Sequence, residues 1–315
     1  MPNRAFAVAS FPLLFGLAAC SSSSASGTAN GASDAGEASV GLGDYDPMPF
    51  GGSRPVKLYV PSGYKGAPTP LLIMLHGYSA SGGEEELLLN LKPVAEAKTV
   101  LYAHPDGTMD PSGNRFWNAT DACCNFWQSS VDDVAYLTSL VKEIGTRYNV
   151  DPKRVYFLGH SNGAFMSYRM ACDQAGTVAA IVSIAGAMWL DPSKCKPSAP
   201  VSVLEVHGTA DVEIDYDGGT TAVPEGGRPG GGQYPAVATT VADWAGFDGC
   251  ASPPDTSLPP VGIDTMFPTN VTRYATACHA PSEVDLWTME GEGHIPGFSS
   301  SFAPMAFDFL LSHGR

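Results

Sequence analysis

Two glycines flanking a serine, in Gly159-His160-Ser161-Asn162-Gly163, constrain this chain more than any other feature. They follow a short apolar, β-prone run at 155–158 and precede a helix-compatible run at 164–170. Strand, sharp turn and helix in that order are the context in which G-x-S-x-G forms a nucleophile elbow. A serine held in strained backbone at the tip leaves no room for side chains two residues to either side. The turn lifts the hydroxyl clear of the sheet, and the helix N-terminus behind it favours developing negative charge. The bland alternative is a tight turn carrying an ordinary serine.

The rest of the pattern predicts what surrounds this turn. Residues 56–60 alternate as a half-buried strand, and 71–75 form a continuous apolar run, as in a strand buried on both faces. Residues 84–98 read as one helix with acids in its first turn, and 100–103 as another strand. Ser130 with Asp133 resembles a capping box, followed by Val134, Leu137, Leu140, Val141 and Ile144 at helical spacing. Strands follow at 180–185, 201–206 and 284–289, and helices at 235–247 and 301–311. This alternation implies an α/β fold, a mainly parallel central sheet with helices on both faces. Its site would lie in loops at the strand C-termini. The Gly- and Pro-loaded stretch 218–232 reads as a mobile surface loop.

A serine needs a base, and the base needs an orienting acid. On such a sheet the chain order is Ser, then Asp or Glu, then His. Of seven histidines, His76, His104, His160, His207 and His313 are misplaced for the base, and His279 precedes the last strand. His294 follows that strand in Gly291-Glu292-Gly293-His294-Ile295-Pro296-Gly297 and is the candidate base. Asp211, closing His207-Gly208-Thr209-Ala210-Asp211, is the candidate acid. Asp215 and Asp217 are its alternates, with Glu213 less well placed. Oxyanion donors would be the backbone N–H groups of Asn162 and of Tyr78, in the loop after the early buried strand. The Tyr78 ring, Trp117, Trp189 and Ile295 are candidate substrate contacts, since loop aromatics bind flat groups by stacking and area.

Residues 1–20 read as an export signal: Arg4, an apolar stretch, then Leu17-Ala18-Ala19-Cys20, which resembles a lipobox with Cys20 lipidated and anchored in a membrane. An ordinary secretory signal is the alternative. Residues 21–50 form a Ser/Ala/Gly-rich tether and 51–315 the catalytic domain. The formal charge of −15, with no basic run, argues against nucleic acid as a partner. Six cysteines remain besides Cys20, an even number that suggests disulfides in an exported chain. Adjacent Cys123 and Cys124 are not expected to bond each other. The expectation is Cys250 with Cys278, and the adjacent pair with Cys172 and Cys195, although connectivity stays open. No metal-ligand spacing competes, no cofactor is required by a serine mechanism, and a monomer is expected.

The elbow, the 207–211 strand end and the 293–297 loop together resemble the polyhydroxybutyrate depolymerase and feruloyl esterase group of secreted α/β-hydrolases. Leu75-His76-Gly77, Trp117-Asn118, Cys123-Cys124 and Val131-Asp132-Asp133-Val134 fit that pattern too. The resemblance covers residue 56 onward. It implies an α/β-hydrolase fold and a serine carboxylesterase with the triad Ser161, Asp211 and His294, acting on extracellular, often polymeric esters. Two positions depart from the pattern: Ile295 stands where tryptophan is common, and Ala164 where a second glycine is. Feruloyl or acetyl polysaccharide esters, polyhydroxyalkanoate and aromatic polyester all stay open as substrates. Acyl transfer or peptide cleavage by the same triad is a second reading, and a non-catalytic ligand-binding surface lipoprotein a third.

Overall fold

The computed structural model describes residues 43–224, 226–227, 231–279 and 282–315. The signal segment, Cys20 and the tether as far as residue 42 lie outside the described residues. The strands are β1 (Asp44–Tyr45), β2 (Tyr59–Val60), β3 (Thr69–Leu75), β4 (Leu101–Ala103), the short pair β5 (Thr108–Met109) and β6 (Arg115–Phe116), β7 (Val150–His160), β8 (Ala180–Ile184), β9 (Ser202–Gly208), the short pair β10 (Gly219–Thr220) and β11 (Gln233–Tyr234), β12 (Thr269–Tyr274) and β13 (Val284–Met289). The helices are α1 (Gly82–Leu89), α2 (Lys92–Lys98), α3 (Asp133–Arg147), α4 (Asn162–Asp173), α5 (Val237–Phe247) and α6 (Phe302–Ser312).

Nine strands make one sheet in the order β1-β2-β4-β3-β7-β8-β9-β13-β12. Its middle, from β4 to β13, is parallel, and β2 and β12 pair antiparallel at the flanks. The unbroken apolar runs follow from burial on two sides. Along β3, Leu71, Ile73 and Leu75 enter one core with Leu137 of α3, Phe165 of α4 and Trp244 of α5. Leu72 and Met74 point the other way, into a core with Leu89 of α1, Ala95 of α2 and Phe307 of α6. Alternate residues of one strand thus feed two apolar layers. This is the α/β-hydrolase architecture, in which Ser161 follows the C-terminal end of β7.

Several boundaries differ from the sequence-based expectation. The helix predicted over 84–98 is two helices. Asn90 caps α1 in the left-handed conformation at φ 51°, and Pro93 stands in the first turn of α2. Asp132, not Ser130, caps α3 by accepting from the Ala135 N–H at 2.9 Å. Asp133 turns inward and accepts from Arg54 and from the Asn118 N–H, each at 2.6 Å. Of residues 56–60 only Tyr59–Val60 joins the sheet, and β12 is an additional strand.

The folded domain also begins before residue 51. Asp44–Tyr45 pairs with β2, and Phe50 is 1 % exposed beneath the Arg147 guanidinium and against Tyr148. The disulfide expectation is corrected as well. Cys123 bonds Cys124, and Cys172 bonds Cys195, while Cys250 bonds Cys278 as expected. The described part of 218–232 is not free of the domain: β10 pairs with β11, and the Thr221 hydroxyl donates to the Ala122 carbonyl at 2.6 Å.

Truncating Phe50 leaves a cavity under Arg147. Phe50→Ala should cost about 3–5 kcal/mol, the range for a core aromatic. Urea denaturation checks this, and a loss under about 1 kcal/mol would return the segment to the tether.

Candidate active site

The elbow forms because two backbones touch at its glycines. A Cβ on Gly159 would strike the carbonyl of Gly163, and one on Gly163 would strike that of Leu75. Ser161 therefore sits at φ 54° and ψ −121°, between the end of β7 and the first turn of α4. Its N–H donates to Ile184 O at 2.8 Å, which ties the strained turn to β8.

Two further loops converge on it. Gly208, at the end of β9, lies so close to the Glu292 backbone that a side chain there would collide. Thr209 N–H donates to Met289 O at 3.0 Å and Ala210 N–H to Glu292 O at 2.9 Å. This stitching sets Asp211 beside His294: the Nδ1 of His294 lies 2.8 Å from Asp211 Oδ2. The other oxygen, Oδ1, accepts from the Glu213 and Ile214 N–H groups at 2.8 and 2.9 Å. Burial pushes the Asp211 carboxyl up, but His207 and His294 outweigh it and hold its pKa well below the usual carboxylate range. Asp215 and Asp217 instead close their own loop, where Asp215 Oδ1 accepts from the Asp217 N–H at 2.9 Å.

A cavity of about 350 Å³ opens over these residues. Ser161 and His294 line it together with Tyr78, Phe126, Ile214 and the Cys123–Cys124 disulfide. Val223 and Pro224, from the stretch read as a surface loop, complete an apolar wall. Glu213 stands at its margin, 3.8 Å from His294 Nε2 and exposed to solvent. As the first residue of α4, Asn162 has an N–H with no intrahelical acceptor. The neighbours of Tyr78 spend their N–H groups, Gly77 on Glu85 at 3.1 Å and Ser79 on Arg115 O at 2.9 Å. Among the described residues nothing takes the Tyr78 N–H. Its hydroxyl donates to Asp110 at 2.6 Å, so the ring is fixed as cavity wall.

Trp117 and Trp189 do not line this cavity. Trp117 is fully buried, and its indole N–H donates to the His76 carbonyl at 3.1 Å. Its backbone N–H donates to the Asn162 amide oxygen at 2.7 Å. It braces both loops that carry the oxyanion candidates, from beneath. Trp189 is buried and does not line the cavity, and Ile295 faces solvent outside it.

Other residues supporting the site escaped the sequence reading. His160 Nε2 donates to the His294 carbonyl at 2.8 Å, and its Nδ1 lies 3.3 Å from Glu85. Burial lowers the His160 pKa, but the Glu85 carboxylate more than reverses that and raises it. Glu85 was legible in principle, since it lies four residues before Leu89 on the buried side of α1. His76 is held neutral by burial, with Nδ1 donating to Gly77 O at 2.7 Å and Nε2 accepting from the Gly107 N–H at 2.8 Å. His207 is buried between Glu205 and Asp211. Burial lowers its pKa, but the two carboxylates raise it to about 9.

Comparison with known proteins gives the family and the fold. A family model described as phospholipase/carboxylesterase matches residues 62–225. Feruloyl esterase B of Piromyces equi is 30% identical over 261 residues, covering 82% of this chain and 45% of that protein. A bifunctional acetylxylan esterase/xylanase of Neocallimastix patriciarum is 26% identical over 167 residues, covering 53% and 22%. The chain thus spans less than half the length of either relative. Among solved structures, an acetyl xylan esterase from Aspergillus awamori superposes with a TM-score of 0.55 at 15% identity, over 85% of this chain and 100% of that one, a likeness of fold.

Two outcomes follow from the buried partners. Trp117→Phe removes one buried hydrogen bond and should cost about 1–2 kcal/mol in urea denaturation, with substrate KM unchanged. A raised KM without loss of stability would make Trp117 a substrate contact after all. The raised His207 pKa gives a sign for pH. Its contribution to stability is full below the unfolded value of about 6.5 and is lost as pH climbs through about 9. The stability gap between wild type and His207→Gln should therefore shrink across that window, and a gap that widens with pH would contradict it.

Proposed function

Since the chain belongs to the phospholipase/carboxylesterase family, we propose that it is an exported serine carboxylesterase with Ser161, His294 and Asp211 as its triad. The observation that carries this reading is the 2.8 Å pairing of His294 with a buried, ionised Asp211, on a cavity whose wall includes the strained Ser161.

The chemistry follows from the atoms. His294 Nε2 takes the hydroxyl proton as Ser161 Oγ attacks the ester carbonyl, while Asp211 stabilises the imidazolium at Nδ1. The Tyr78 and Asn162 N–H groups meet the oxyanion, and each such donor is worth roughly 10²–10³ in kcat. The tetrahedral intermediate expels the alcohol, which leaves with the proton from His294. Water then repeats the sequence on the acyl-enzyme and frees the acid.

The apolar wall of Phe126, Ile214, Val223, Pro224 and the disulfide suits an aromatic or short aliphatic acyl group. Feruloyl and acetyl esters of polysaccharide are the favoured substrates, because both named relatives are esterases of those kinds. Polyhydroxyalkanoate and aromatic polyester share the same bond. Three disulfides support an oxidising compartment, and Cys20 is the point of lipid attachment.

Ser161→Ala should lower p-nitrophenyl acetate hydrolysis by at least about 10⁴-fold with the circular dichroism spectrum unchanged. It should also abolish labelling by a fluorophosphonate probe. Near-normal turnover by the folded variant would defeat the assignment.

A further inference from the structure

Behind His294 lies a pair of buried charged side chains with no place in the reaction just described. Glu205 and His207 are both 0 % exposed, on neighbouring inward positions of β9. No lysine or arginine pairs with Glu205 among the described residues. An isolated carboxylate in that position would be strongly disfavoured. Its partner is His207, whose Nδ1 lies 3.1 Å from Glu205 Oε1. The Tyr168 hydroxyl of α4 donates to Oε2 at 3.0 Å.

The far side of the His207 ring meets only acceptors. Its Nε2 lies 2.8 Å from the Ile214 carbonyl and 3.3 Å from Asp211 Oδ2. Tyr216 packs edge-on at 5.8 Å, and its hydroxyl is bonded to Thr288 of β13. Burial pushes the Glu205 carboxyl up, but its oxygens accept from the Tyr168 hydroxyl at 3.0 Å and the Gly186 N–H at 3.4 Å, which favours the carboxylate, and acceptors at both ring nitrogens of His207 then call for protons on both. Asp211 Oδ2 is thus shared by two imidazoles, His207 and His294, while backbone N–H groups hold Oδ1.

Resting on the triad reading above, we propose that Glu205 and His207 are positioning residues for ester cleavage: Glu205 holds His207 as an imidazolium, and that imidazolium fixes Asp211 facing His294. The charge count gives the reason for the second acid. At rest the four side chains carry Glu205 and Asp211 negative, His207 positive and His294 neutral, a net −1. When the Ser161 proton reaches His294 Nε2, as the Oγ–carbon bond forms, the buried cluster becomes neutral. His207 keeps its own proton throughout. Without Glu205 the same step would leave a net buried positive charge, or His207 would surrender the proton that clamps Asp211.

Histidine-selective ¹⁵N labelling of the intact protein tests this directly, with His207 assigned from His207→Gln. Both His207 ring nitrogens should be protonated from pH 6.5 to 8 and titrate near pH 9. A neutral His207 in the wild type at pH 7 would overturn the proposal. Glu205→Gln should lower kcat about 10- to 100-fold with KM little changed, short of the roughly 10⁴-fold loss when the orienting acid itself is replaced. It should also move the alkaline limb of kcat below pH 8. A variant that merely melts earlier, with kcat and pH profile intact, would overturn the positioning role. Because the wild-type titration needs no substrate, it stands or falls apart from the Ser161→Ala result.

Discussion

Everything at the site depends on how closely α4 approaches β3. The helix enters against the Leu75 carbonyl at a distance that only the hydrogen of Gly163 allows. That contact forces the chain to reverse within one residue after β7, and the reversal is what puts Ser161 at φ 54°. The strain does not stand alone. The Ile184 carbonyl, the Trp117–Asn162 amide exchange and the burial of nearly every residue of α4 hold the turn in place. The strained conformation of Ser161 is thus the by-product of a packing constraint spread over three strands.

The second layer of the design is electrostatic and hidden. This acidic protein spends histidines, rather than lysine or arginine, to bury its acids near the site. Glu85 is matched by His160, and Glu205 and Asp211 by His207 and His294. An imidazole is compact and donates from two directions, so each ring can join a carboxylate to a second loop. His160 links Glu85 to the His294 loop, and His207 links Glu205 to the loop after β9. The loops carrying Ser161, Asp211 and His294 are therefore braced by buried polar side chains rather than by apolar packing alone.

Much of this was legible in the sequence, and the failures are physical. The strand at 71–75 was plain because burial on both faces leaves it no polar position. The turn at Ser161 and the glycine-flanked segments that set Asp211 beside His294 were legible because strand ends and glycine placement are written in short stretches of sequence. The depth of Trp117 was not legible because an aromatic in an irregular stretch looks the same whether it faces a cavity or supports one from below. Asn90 and Pro93 split a helix whose periodicity alone ran on. The adjacent cysteines were assigned elsewhere because neighbours in sequence were assumed unable to bond. Glu205 and His207 were passed over as parts of a strand, although an acid inside an apolar run is itself a sign of a buried partner.

The bond between the Thr221 hydroxyl and the Ala122 carbonyl joins two stretches almost a hundred residues apart in sequence. One brings the paired sulfurs, and the other brings Val223 and Pro224. A change in the shape of this cavity therefore meets a hinged corner rather than two independent walls. Lengthening either stretch alone would pull its counterpart out of line, so relatives of this chain should change the two segments in step.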